Sequence, residues 1–91
     1  MLQSRVRLYL GFVGENVRRG RKRREQTQEQ LAEAAGLDVR FIRRVERGSV
    51  NLRFDTIVRL AEALDVEPGA LLRKVKVAVA KPGRPRNKRA S

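Results

Sequence analysis

The sequence predicts a mainly α-helical domain of five helices, with short strands at its two ends, about 5–12 and 74–79, as open additions, and a basic tail. Three observations carry this. Thr27 followed three residues later by Gln30 is a capping box, in which the hydroxyl takes one orphan amide and the glutamine reaches back to another. Gly36 and Gly48 each stand just past an apolar-periodic run, where a helix stops. Phe54, Ile57, Val58, Ala61 and Leu64 make an amphipathic stripe at helical spacing. With 91 residues, the chain is near the low end for one hydrophobic core.

Two readings fit the N-terminal extension, residues 1–13. Val6, Leu8, Leu10 and Phe12 alternate with Arg5, Arg7, Tyr9 and Gly11, which suits a half-buried strand; Leu2, Val6, Tyr9, Val13 and Val17 suit a helix. ENVRRGRKRREQ then reads as a helix with six basic residues at positions 18–24, interrupted only by Gly20. That glycine weakens the helix by roughly 1 kcal/mol relative to alanine and is a candidate for close packing. After the capping box, a short helix runs from Gln28 to Ala35, with Leu31, Ala32 and Ala35 on one face, and stops at Gly36. Asp38 is a good N-cap for the next helix, from Val39 to about Arg47, which buries Ile42 and Val45. The fourth helix has no obvious N-cap, since Arg53 stands where Ser or Asp is expected. EPGALLR gives a fifth with Pro68 in its first turn. Residues 73–80 alternate again, with Val75, Val77 and Val79 on one side, and 81–91 lose all apolar periodicity.

Composition narrows the function. With no cysteine and no histidine, the usual zinc ligand sets and the usual imidazole base are missing, and the three serines have nothing to activate them. Neither an enzyme nor a metal or other cofactor is expected. Lys and Arg number 22 against 10 acids, a net charge of +12, with 17 of the 22 being arginine. Such a bias points to a polyanionic partner, and arginine forks onto phosphates and guanine edges in a way lysine does not. No apolar run approaches the roughly 20 residues of a membrane span, and the first residues make a poor signal peptide. A cytoplasmic location without membrane attachment is expected.

Two short helices joined by a tight turn containing glycine, the second one basic, form a helix-turn-helix. Alanines at 32, 34 and 35 let the pair cross closely. Ile42 and Val45 point to the core, so Arg40, Arg43, Arg44 and Arg47 share the opposite side. The stretch TQEQLAEAAGLDVRFIRRVERG resembles the Cro/phage-repressor-like (XRE-type) helix-turn-helix family through Thr27, Gln28, Leu31, Ala32, Gly36, Ile42, Glu46, Arg47 and Gly48. The likeness continues through NLRFDTIVRLAEALDV and covers about residues 14–72. Restriction-modification controller proteins are similar in detail, with an aromatic where Phe41 stands, and so are antitoxin repressors.

The resemblance implies a five-helix lambda-repressor-like domain that regulates transcription as a dimer, its second motif helix in the major groove of a pseudo-palindromic operator. Val39, Arg40 and Arg44 would then meet base edges, with Arg43 alongside and Phe41 divided between core and DNA. Gln28 would anchor a phosphate, Ser49, Asn51 and Arg53 would touch the backbone, and Arg21 would pair with Glu46. Leu64, Val66, Leu71 and Leu72 are the expected homodimer surface, with the valine row 75/77/79 adding a strand. In the tail, Lys81, Arg84, Arg86, Lys88 and Arg89 are expected DNA contacts, either as a flexible basic arm or, through Gly83-Arg84-Pro85, as an element like an AT-hook. Two alternatives stay open: an antitoxin that binds a toxin and represses its own operon, and a general nucleic-acid binder dominated by the tail.

Overall fold

The computed structural model describes residues 2–77. The five tail positions expected at DNA, and Val79 of the second strand, lie outside the described residues. Four α-helices follow one another: α1 (Leu2–Arg23), α2 (Gln28–Ala35), α3 (Val39–Glu46) and α4 (Phe54–Leu64), then a 3-10 turn, Pro68–Leu72.

The strand reading of 5–12 is overturned: α1 is one helix from Leu2 onward. Its 22 residues span roughly 33 Å at 1.5 Å per residue. Phe12, Val13 and Val17 are buried, whereas Val6 is 46% and Leu8 52% exposed. Among the described residues no strand offers an edge for it to pair with. A helix needs no partner for its backbone, and the nucleus held by the core at 12–17 propagates outward at one hydrogen bond per residue.

Local chemistry fixes α2 and α3 as expected. Gln30 N donates to Thr27 Oγ1 at 3.0 Å and Thr27 N donates to Gln30 Oε1 at 2.8 Å, closing the capping box. Gly36 ends α2 in the left-handed region, φ 70°, and Leu37 N donates back to Ala32 O at 2.8 Å. Asp38 Oδ1 caps α3 by accepting from Arg40 N at 2.7 Å. At the other end Gly48 N donates to Val45 O at 2.9 Å and Ser49 N to Arg44 O at 3.0 Å. No side chain caps the start of α4; it ends on Asp65, left-handed at φ 57°. The expected fifth helix is a 3-10 turn of 5 residues, too few to support α-helical propagation.

One core joins all five elements: Val13 and Val17 of α1, Leu31, Ala32 and Ala35 of α2, Ile42 and Val45 of α3, Leu60, Ala61 and Leu64 of α4, and Leu71. The close approach of backbones falls on Gly14, not Gly20. A Cβ on Gly20 would meet Leu64 Cδ1 and Cδ2 at 3.5 Å, an ordinary contact. Gly20→Ala is therefore expected to stabilise the protein by up to about 1 kcal/mol through helix propensity. Urea unfolding would check this by a higher midpoint at unchanged slope.

The strand expected at 74–79 is also absent as far as residue 77. The segment is instead held against α1: Asn16 Nδ2 donates to Leu71 O and Arg73 O just ahead of it, both at 3.0 Å, and Arg19 Nη2 to Lys76 O within it at 3.2 Å. Val75 and Val77 are half-buried, and Val77 packs beside Gly11. Beneath this segment lies an acid that the sequence reading did not single out. Glu15 is 4% exposed and pairs with Arg18 and Arg19, each at 2.9 Å. Its signal was available, since it is the one acid before Glu25 and has arginines at i+3 and i+4.

Candidate nucleic-acid interface

The geometry of α3 follows from its two faces. Ile42 and Val45 are 0% and 1% exposed and fix the helix from within, while Arg40, Arg43, Arg44 and Arg47 are all exposed. Behind the arginines sits a largely buried polar knot. Arg21 Nε donates to Glu46 Oε2 at 2.7 Å and Arg21 Nη2 to Glu46 Oε1 at 3.0 Å, a two-pronged pair. Gln28 Nε2 donates to the same Oε1 at 3.0 Å, and Arg21 Nη1 donates to Gln26 O at 2.9 Å. α1, α2 and the end of α3 are thus tied through one carboxylate.

The knot reaches the surface. Gln28 Oε1 accepts from Arg43 Nε at 3.4 Å, and Glu29 Oε2 accepts from Arg43 Nη2 at 3.2 Å. Gln28, expected as a phosphate anchor, has its side-chain amide directed at Glu46 in the free protein. Arg44 lies over the Phe41 ring, 6.0 Å from its centroid, within cation–π range. Phe41 and Val39 are half-buried and pack against the core, so of the residues placed at base edges only the arginines stand fully clear. Arg40 pairs with Asp38, and with Phe41 and Arg44 these line a shallow open depression. Hydrogen bonds from the Arg40 side chain and then its backbone amide hold the Asp38 carboxyl below the ordinary value for a carboxylic acid; Asp38 in turn raises Arg40.

The turn after α3 brings Ser49, Asn51 and Arg53 into one exposed segment. Ser49 Oγ donates to Arg44 O at 3.2 Å, Asn51 Oδ1 accepts from Leu52 N at 3.0 Å, and Arg53 pairs with Asp55 at 3.3 Å. Among the described residues, no helix is long and apolar enough to cross a membrane and no cluster of residues could hold a metal ion.

A helix-turn-helix family model matches residues 17–71. The chain belongs to that family, of the Cro/phage-repressor (XRE) type, and is a DNA-binding transcription regulator. It is similar to control protein C.SmaI of Serratia marcescens, with 41% identity over 61 residues, covering 67% of this chain and 73% of that protein. The crystal structure of the restriction-modification controller protein C.AhdI from Aeromonas hydrophila superposes with a TM-score of 0.66 at 40% identity, covering 68% of this chain and 94% of that one. The hypothetical transcription factor NHTF from Neisseria gives a TM-score of 0.71 at 32% identity, covering 72% of this chain and 76% of that one.

Proposed function

We propose that the protein regulates transcription as a homodimer that reads a pseudo-palindromic operator, with α3 in the major groove of each half-site. The observation that carries this reading is the division of α3: a buried spine and the Glu46 knot hold it still, and Arg40, Arg43 and Arg44 project from the opposite face. The similarity to control proteins of restriction-modification systems supports the same assignment. Arg40 and Arg44 are the base readers, most simply of guanine O6 and N7, and Gln28, Ser49, Asn51 and Arg53 hold the backbone. The test begins with selection of bound sequences from random DNA. On the selected site, Arg40→Ala and Arg44→Ala are each expected to cost about 1–3 kcal/mol and relax one base position. Equal losses on selected and scrambled duplexes would demote both to phosphate contacts.

One such unit covers only a half-site, which is the argument for a dimer. Of the four residues expected at its interface, Leu64 and Leu71 are each 2% exposed within the monomer's own core and are unavailable. Val66 is half-buried and Leu72 is 42% exposed. Phe54, at 76% exposed, is a further apolar side chain in need of cover. Leu72→Glu is expected to leave the melting temperature of dilute protein almost unchanged while shifting sedimentation equilibrium toward monomer. A wild-type chain that stays monomeric at high concentration and on operator DNA would overturn the dimer.

A further inference from the structure

Arg40 does not wave freely from the surface. Its side chain is 80% exposed, yet Nε donates to Asp38 Oδ1 and Nη2 to Asp38 Oδ2, both at 3.2 Å, while its own backbone amide donates to Oδ1 at 2.7 Å. A guanidinium carries five N–H groups on a planar fork. The carboxylate occupies the side edge, between Nε and Nη2. That leaves the outer edge, where one N–H from each Nη points outward in parallel. Two parallel donors at that spacing match guanine O6 and N7 in the major groove. The same carboxylate, 54% exposed, faces the solvent into which a phosphate would come.

We propose that Asp38 is a positioning residue that makes Arg40 a reader of guanine rather than of phosphate. This rests on the reading above, in which α3 enters the major groove with Arg40 at a base edge. Two effects combine. By gripping the side edge, Asp38 fixes the guanidinium plane, so the outer edge is presented without the loss of side-chain freedom that a loose arginine suffers. By its charge, it opposes the approach of the DNA backbone. A phosphate captured by Arg40 must displace the carboxylate or sit beside it, whereas a guanine edge, which is uncharged, meets the outer donors with the clamp still closed. Asp38 thus weakens binding to arbitrary DNA more than it weakens binding to the right site, a device for specificity as much as for affinity.

The experiment uses the full chain and the site recovered by selection. Arg40→Ala first identifies the base position that Arg40 reads as the one that relaxes. Asp38→Asn and Asp38→Ser both keep a side chain that caps α3 about as well as aspartate, so both are expected to melt close to wild type. Binding is measured on the selected site, on the same site with the identified guanine changed to adenine, and on a scrambled duplex, each over a range of salt. The expected result for both variants is a loss of about tenfold in the guanine preference at that position. The scrambled duplex should be bound more tightly, with its log K against log salt slope steeper by about one unit. Retention of the full guanine preference and of wild-type binding to scrambled DNA would overturn the role of Asp38. If Arg40→Ala relaxes no position, the base-reading role of Arg40 itself falls, and the proposal falls with it.

Discussion

Glu46→Ala is expected to destabilise the protein by about 3–5 kcal/mol. The carboxylate is 5% exposed and its partner Arg21 11%, so water replaces little of what the substitution removes. Three donated hydrogen bonds end on Glu46, two from Arg21 and one from Gln28. Without it, a guanidinium keeps only its bond to Gln26 O while remaining enclosed. For a domain of this size the loss corresponds to a fall in melting temperature of roughly 12 °C or more. Thermal unfolding followed by circular dichroism measures it, and a melting temperature near that of wild type would show that the site admits water. The double variant Arg21→Met with Glu46→Met separates two meanings of the result. Replacing both charges with apolar chains of similar length should recover part of the loss by removing the stranded charge, the remainder reflecting Gln26 O and Gln28 Nε2, which lose their partners.

Gly14→Ala is expected to destabilise by about 2–3 kcal/mol, even though alanine is the better helix former. A Cβ at this position would overlap Val45 O and stand 3.0 Å from Glu46 O. These are backbone atoms, and Val45 O is fixed by accepting from Gly48 N at 2.9 Å. The only relief is to move α1 away from α3, which stretches the contact that Arg21 and Glu46 close. The same exchange at Gly20, further along the same helix, is expected to have the opposite sign. Measuring both in urea therefore tests the helix crossing itself, and two changes of like sign would contradict it.

The contrast between these glycines shows where the sequence is legible. Gly20 stands out on paper because it interrupts a basic helix, but the feature that makes a glycine necessary is another segment's backbone, and nothing local to Gly14 announces it. The capping box at Thr27, the stop at Gly36 and the cap at Asp38 are readable because each involves side chains within a few residues of one another. The same locality makes the arginine face of α3 readable, since Ile42 and Val45 leave only one side free. Residues 5–12 were ambiguous because their apolar positions fit both periods, and the tie is broken by where the core ends, at Phe12. The valines after residue 74 misled for a related reason. Their alternation is real, but the chain there lies along α1, tied by Asn16 to the carbonyls of Leu71 and Arg73 and by Arg19 to that of Lys76, rather than beside another strand. Amphipathic spacing does not distinguish a monomer's core from its interface, so it points Leu64 and Leu71 to a dimer surface although both are buried within the monomer.

The separation of faces on α3 has a consequence for protein engineering. The side chains at 40, 43 and 44 lie outside the core, and α3 is kept in place by Ile42, Val45 and Glu46. If these arginines meet the operator as proposed above, randomising the codons for positions 40, 43 and 44 would yield a library whose members share one scaffold and differ chiefly in the DNA word each recognises. Operator choice can then be re-addressed by screening, without each new variant having to be rescued for folding.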